Sequence, residues 1–398
     1  MAMDQIDELL TRGVANIIPN KTLLAKLLSS GKKLNVFLGI DPTATRIHLG
    51  HAVSLRKLQA FAEFGHNATF LIGDFTALIG DTSDKDAERP VLTSEQIEQN
   101  FQDYKKQVEK ILDFSKVKIV YNSEWLTKLT FTDIVKLTQH FSAGDFVGRE
   151  LIKKRLEENK RVGLHELLYP AMQGYDSYFM DTDIQIGGTD QTFNMQAGRT
   201  LQKDLRNKES YIVATEFLIG TDGRKMSKTW SNAIWLTDTP DDMYAKIMAI
   251  NDDVIVQYFT LATNISIKNV ERIEKALKDG ENPMIIKKRL ACQIITEVNG
   301  KNAADKAAEY FEKTVQKQEL PSDIPIYQYN GQQTVSIIDL LVQTKLASSK
   351  SEARRLVEQG GVEVDDSQVT NPKSQIPIKD GLVIKIGKRR FLKLAIRN

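Results

Sequence analysis

The stretch LNVFLGIDPTATRIHLGHAVSLRKLQAFAEFGHNATFLIGDF, Leu34 to Phe75, decides the architecture. Its apolar run LNVFLGI leads into a turn, then a segment with helical spacing of apolar residues, then a second apolar run, ATFLIGDF, which reads as strand, loop, helix, strand. The runs VKIVYNS (Val117 to Ser123), IQIGG (Ile184 to Gly188) and YIVA (Tyr211 to Ala214) repeat the alternation downstream. Strands alternating with helices predict a parallel sheet covered on both faces, and such sheets bind ligands beyond the carboxyl ends of their strands.

Outward from this core the pattern changes twice. Between Thr132 and Phe179 the apolar spacing is helical, with an interruption near Arg161 to Gly163, so the segment reads as a helical insertion between two halves of the sheet and a candidate for holding a partner subunit. After Pro240 the spacing is helical almost without a break, with Gly or Pro at the joints, which predicts a helical bundle. ELPSDIPIYQYNGQQ, residues 319–333, reads as a linker, because two X-Pro units favour extended backbone and little apolar periodicity survives.

At 398 residues, 41% hydrophobic and 27% charged, the chain exceeds one ordinary domain and is excluded from wholesale disorder. Its 54 basic and 52 acidic side chains nearly cancel, so any anion-binding surface is local. Cys292 is the only cysteine, and no Cys/His cluster has zinc spacing, so neither an internal disulfide nor a structural metal is expected. MAMDQIDELLTRG carries acids where a signal peptide needs bases, and no run reaches the roughly 20 apolar residues of a membrane span; a cytoplasmic location with no membrane partner is the expectation.

Basic charge collects at the C-terminus. From Thr334 onward 7 Lys and 5 Arg face 7 Asp and Glu, a net +5 that leaves −3 for the rest of the chain. There Ser349 and Glu352 have capping-box spacing before SEARRLVEQ, Gly360-Gly361 ends that helix, and GVEV follows as a strand. Lys350, Arg354 and Arg355 fall on or near one helix face, and Lys388, Arg389 and Arg390 on the turn of a later hairpin, GLVIKIGKRRFLKL. Such a set reads either as a phosphate-backbone binder or as a solvated charged face.

Two segments carry chemistry. GIDPTATRIHLGHA (Gly39 to Ala52) leaves a predicted strand and enters a helix, placing His48 and His51 around Gly50 at a helix N-terminus, where a polyphosphate is favoured; read alone it is equally a helix cap with an exposed imidazole. GTDGRKMSKTW (Gly220 to Trp230) offers Arg224, Lys225 and Lys228 around a glycine-containing loop, cations able to stabilise charge on a leaving pyrophosphate, although a lone basic loop is usually no more than that.

Together, HLGH and KMSKT resemble the paired signatures of the class I aminoacyl-tRNA synthetases. LLYPAMQGYDS (Leu167 to Ser177) and IGGTDQTFN (Ile186 to Asn194) are similar to the amino-acid and adenosine pockets of the tyrosyl-tRNA synthetases in particular. The resemblance spans essentially the whole chain. It implies an α/β fold: a Rossmann-like catalytic domain over 1–230 with a helical insertion near 125–165, an all-helical domain over 231–318, the linker, and over 334–398 a small α/β RNA-binding domain of the kind shared with the ribosomal protein S4.

It further implies L-tyrosine, ATP and tRNA(Tyr) as substrates, Mg2+ arriving with ATP, and a homodimer formed through the insertion. Residue by residue, the resemblance places Thr43 and His48 on the outer phosphates, His51 near the ribose, Lys225 and Lys228 on the loop, and Lys85 and Arg89 on pyrophosphate. Asp81, Tyr169 and Gln173 would hold the substrate ammonium, Asp176 the phenolic hydroxyl and Gln191 the carboxylate side, with Phe37, Gly39 and Asp41 lining the same cavity. Gly50, Gly188, Asp190, Leu218, Met226, Ser227 and Thr229 complete the implied ATP site. Lys350, Arg354, Arg355, Lys388, Arg389 and Arg390 would meet tRNA. Phe37 stands where several members place a tyrosine, so Asp176 would recognise the hydroxyl with less help; Leu38 replaces a small polar residue. The rivals are a tryptophan-specific relative, an RNA-binding protein that has lost catalysis, and another nucleotidyltransferase on the same fold, which would leave the helical bundle and basic C-terminus without a role. The Tyr-x-x-x-Gln-x-x-Asp face argues against the first and the intact signatures against the second.

Overall fold

The computed structural model describes residues 3–43, 46–80, 93–316, 324–365, 367–387 and 390–396, and the chain clusters into two units, 1–304 and 305–398. In the first, α1 (Met3–Thr11), β1 (Val14–Ile18) and α2 (Lys21–Ser29) precede the decisive stretch, which folds as β2 (Asn35–Ile40), α3 (Leu49–Glu63) and β3 (Asn67–Ile72). Then come α4 (Ser94–Val108), β4 (Val117–Tyr121) and the insertion helices α5 (Ser123–Leu126), α6 (Phe131–Thr138), α7 (Ala143–Val147) and α8 (Glu150–Glu157). The long α9 (Leu164–Phe179) leads to β5 (Ile184–Gly188), α10 (Thr192–Arg206) and β6 (Tyr211–Thr215). The helical series follows: α11 (Pro240–Met248), α12 (Ile255–Ala262), α13 (Ile267–Lys278), α14 (Pro283–Asn299) and α15 (Lys301–Phe311), which spans the division between the units.

The six strands lie in the order β1-β6-β5-β2-β3-β4. Five are parallel, as the alternation predicts. β1 is a departure: it adds to the β6 edge antiparallel, and its VANII, apolar at four of five positions, is only partly buried there. All five residues of β6 are buried, the mark of a parallel sheet covered on both faces. Because the chain moves one way from β2 to β3 and the other from β2 to β5, the crevice between the carboxyl ends of β2 and β5 is the switch point where ligands bind.

α9 carries Pro170 in its interior, which removes the N–H due to the carbonyl of Glu166. Arg149 Nη2 donates to that oxygen instead, at 3.4 Å. The Glu166 side chain takes the buried guanidinium of Arg155 through two bonds, of 2.6 and 3.1 Å, and the N–H of Gly163 at 2.8 Å, so the insertion is pinned to the start of α9. That fixes the helix whose inner face lines the crevice.

The second unit holds β7 (Ile326–Tyr329), β8 (Thr334–Ser336), α16 (Ile337–Gln343), α17 (Lys350–Glu358), β9 (Val362–Val364), β10 (Ser367–Gln368), β11 (Gln375–Pro377), β12 (Val383–Ile386) and β13 (Arg390–Ile396). Five strands form one sheet, β10-β9-β12-β13-β7, and β11 pairs with β8. Of the 319–333 stretch read as a linker, residues 319–323 lie outside the described residues, and 326–329 is corrected to a strand. Ile326–Tyr329 pairs in parallel with β13, and Tyr329 joins a core with Ile337, Leu340, Val357 and Leu394. Ser349 caps α17 by accepting the Glu352 N–H, but the Glu352 carboxylate turns to the N–H of Ser348 at 2.7 Å rather than closing the reciprocal box. Among the described residues, no helix is long and apolar enough to cross a membrane.

Candidate active site

β2 delivers Asp41 to the carboxyl edge of the sheet, and α3 begins just after His48. The His48 and His51 rings stack with centroids 3.7 Å apart, and Trp235 meets His48 edge-on at 5.6 Å. Burial pushes the pKa of His48 down to about 2, with further lowering from His51, Lys228 and Lys225. The ring is therefore neutral at working pH: it offers an N–H without a charge that would need a counterion. Glycine at position 50 has a steric reason. A Cβ there would sit 2.9 Å from His48 Nδ1 and displace the ring.

The floor is the inner face of α9. Asp176, fully enclosed, accepts from Trp125 Nε1 at 2.7 Å and from Asn122 Nδ2 at 3.2 Å. The second Asn122 proton goes to Thr76 Oγ1 at 3.0 Å, Thr76 donates to Asp41 at 2.8 Å, and the Tyr169 hydroxyl donates to the other Asp41 oxygen at 2.9 Å. Two carboxylates are thus joined by a continuous chain of hydrogen bonds. Burial raises the Asp176 pKa to about 8; the Trp125 and Asn122 bonds oppose this, while Asp41 and Asp74 add to it. Phe37 packs with Leu71, Val120 and Trp125 as an apolar wall beside the carboxyl group. Gly73 leaves space for the chain, since a Cβ there would lie 2.0 Å from Asp41 Oδ1.

The opposite wall comes from the end of β5 and the segment 217–230. Asn194 Nδ2 donates to Gln191 at 3.1 Å and orients it. Lys225 lies 3.7 Å from Asp190 and above the Phe217 ring at 5.5 Å.

One cavity of about 760 Å³ collects these walls. It is lined by Phe37, Gly39, Asp41, Thr43, His48, Gly50 and His51 from the first loop and by Tyr169, Gln173 and Asp176 from α9. Gly188, Asp190, Gln191, Leu218 and the whole run Lys225, Met226, Ser227, Lys228 and Thr229 complete it. Asp81, Lys85 and Arg89 lie outside the described residues. So do Lys388 and Arg389; in the second unit Lys350 pairs with Asp339 at 2.8 Å, Arg390 donates to the Leu346 carbonyl at 3.0 Å, and Arg354 and Arg355 are exposed. Sequence reasoning missed Thr76, Asn122 and Trp125, which orient the carboxylates. The available signal was the position of Asn122 at the carboxyl end of β4, where this fold places functional groups.

An imidazole at a helix start, two loop lysines and a buried carboxyl in one crevice can hold a triphosphate beside a small molecule with a hydroxyl to donate. The family model of tRNA synthetases class I (W and Y) matches residues 29–316. This chain belongs to that family. The synthetase also matches a second model, the tyrosine--tRNA ligase SYY-like C-terminal domain, over residues 316–394. It is 42% identical to a tyrosine--tRNA ligase of Carboxydothermus hydrogenoformans, covering 97% of each chain. It is 40% identical to one of Dehalococcoides mccartyi, over 98% of this chain and 99% of the other. Its fold is shared with a tyrosyl-tRNA synthetase of Archaeoglobus fulgidus complexed with L-tyrosine, at a TM-score of 0.62 and 22% identity, over 77% of this chain and all of that one (100%). A truncated mitochondrial enzyme of Aspergillus nidulans aligns at a TM-score of 0.66 and 21% identity, over 77% of this chain and 92% of that one.

Proposed function

We propose that the crevice between β2, α9 and the 217–230 segment is where the synthetase joins L-tyrosine to ATP. The activity is that of a tyrosine–tRNA ligase. An oxygen of the tyrosine carboxylate attacks the α-phosphorus, the bond to pyrophosphate breaks, and tyrosyl-adenylate remains. A hydroxyl of the terminal tRNA ribose then attacks the tyrosyl carbonyl, its proton is lost, and AMP departs. Neither step needs a covalent enzyme intermediate, so catalysis is positioning plus stabilisation of phosphate charge.

The observation that carries this reading is a buried Asp176 held by Trp125 and Asn122 in the same cavity as His48, Lys225 and Lys228. Asp176 accepts the phenolic hydroxyl. Tyr169, Gln173 and Asp81, with Asp41 behind them, take the ammonium, and Gln191 faces the carboxylate. Lys225 and Lys228, with Lys85 and Arg89, neutralise the departing pyrophosphate, while Thr43 and the uncharged His48 donate hydrogen bonds to it. Gly50, Gly188, Leu218, Met226, Ser227 and Thr229 shape the nucleotide site beside His51. Asp190 receives the ribose hydroxyls; its contact with Lys225 is long and partly solvated, so ribose displaces it at little cost. Mg2+ enters on the ATP phosphates.

In the division of labour we propose, catalysis lies in 1–230, a tRNA-facing helical domain in 231–318 and RNA binding in 334–398, in the cytoplasm. A homodimer through the insertion agrees with its apolar surface: Phe131 is 82% and Leu164 75% exposed. Pyrophosphate exchange into ATP across the amino acids tests the function. Tyrosine should drive it, and exchange driven by tryptophan instead would overturn the assignment. In the full chain, replacing Arg354 and Arg355 together by Glu should leave exchange unchanged. Aminoacylation kcat/KM should fall roughly tenfold and the log-log salt slope flatten by about 2, one for each phosphate contact removed. Equal loss of exchange would remove the RNA role.

A further inference from the structure

We propose that Asn232 is a positioning residue of the adenylation step, holding the backbone from which Lys225 and Lys228 reach the triphosphate. This rests on the reading of the cavity as a tyrosine–ATP site. Segment 218–232 closes on itself: Met226 N–H donates to the Leu218 carbonyl at 2.8 Å and Gly220 N–H to the Arg224 carbonyl at 2.7 Å. Those bonds order the first turn and leave the stretch after Met226 without a ladder of its own. Asn232 supplies one. Its side-chain oxygen accepts the Ser227 N–H at 2.9 Å, and its amide donates to Asp222 Oδ1 at 2.7 Å and to the Lys225 carbonyl at 3.1 Å. Its own carbonyl takes the Thr221 N–H at 3.1 Å.

A single side chain therefore ties the loop at 222, 225 and 227, the last two flanking or bearing the lysine positions. The geometry is built for it. Asn232 is 1% exposed, a Cβ on Gly220 would lie 2.5 Å from its amide, and Ser231 adopts a left-handed φ of 56° that turns the chain back beneath the loop. A non-glycine residue held in that region marks a conformation imposed by its surroundings. One acceptor and two N–H groups in a plane of this size are what Asn carries; Asp lacks the donors and Ser is too short to span all three points.

The test is adenylate formation by the full chain, measured as tyrosine-dependent exchange with tyrosine affinity determined separately. Asn232→Ala should lower kcat by about 30-fold, since two bonds fixing the lysines are lost, with tyrosine affinity within about twofold. Asn232→Asp should do worse, because it sets a second carboxylate against Asp222. Adding Asp222→Asn to Asn232→Asp should recover about tenfold by restoring a donor and acceptor across that contact. A kcat for Asn232→Ala within threefold of wild type overturns the proposal. So does a parallel loss of tyrosine affinity, which would indicate general disruption, or a double variant no faster than Asn232→Asp. Failure of the wild type to exchange with tyrosine at all would instead remove the function on which the proposal rests.

Discussion

Asp176→Asn should lower kcat/KM for tyrosine by about 10³-fold while leaving the slow reaction with phenylalanine nearly unchanged. The carboxylate uses one oxygen for Trp125 and the other for Asn122 and still has lone pairs for a phenol. An amide has one acceptor oxygen, so its NH2 would be turned against one of those donors. Losing a charge-assisted bond and stranding a buried donor come to about 4 kcal/mol together. Phe37 adds no hydroxyl to compensate, because it belongs to the apolar wall. Steady-state exchange against tyrosine concentration checks this; a loss below tenfold would move hydroxyl recognition elsewhere.

The same residue gives a pH signature. With its pKa pushed up to about 8, chiefly by burial, Asp176 is protonated near neutrality. A phenol donating to the ionised form lowers that pKa, so binding releases a proton. Tyrosine affinity should tighten as pH rises toward about 8, and phenylalanine affinity should not. For stability the sign is the reverse of an ordinary salt-bridged aspartate. The folded pKa lies above the unfolded one, so this group's contribution is complete below about 4 and is lost as pH rises through about 8.

Lys228→Ala should reduce the adenylation kcat by about 10² to 10³-fold and change tyrosine affinity less than twofold. Lys228 lines the cavity on the loop wall, while the proposed tyrosine contacts lie on α9. Its positive charge is one cause of the lowered His48 pKa, which places the lysine within electrostatic reach of the imidazole assigned to the same phosphates. An interaction made only as charge grows on the leaving group appears in kcat and leaves ground-state binding of the other substrate alone. Single-turnover rates with independent tyrosine titration separate the two; unchanged turnover with collapsed tyrosine binding would contradict the assignment.

The legible parts of this molecule are the local ones. His48 and His51 stand three residues apart across a helix start, with Gly50 between them, so secondary structure alone brings the two rings together. Tyr169, Gln173 and Asp176 recur at helical spacing on α9 and share one wall for the same reason. β7 escaped because prolines and polar residues around Ile326–Tyr329 leave no period to read, and its pairing is made with β13, far along the chain. Asn232 escaped because two of its three side-chain partners, the Ser227 N–H and the Lys225 carbonyl, are backbone groups, which every residue has.

Taken by itself, the amino-acid order determined the strand and helix alternation, the switch-point loop and the residue types gathered there, since these follow from periodicity and short-range spacing. Tertiary structure alone decided their state. His48 is neutral chiefly because burial depresses its pKa, with His51 and the lysines of a loop some 175 residues later adding to it. Asp176 holds its proton until about pH 8 because the surrounding protein buries its carboxyl group, and it is aimed by Trp125 and Asn122 from beyond another strand. Desolvation and hydrogen-bond direction depend on what lies across space, which the order of residues along the chain does not record.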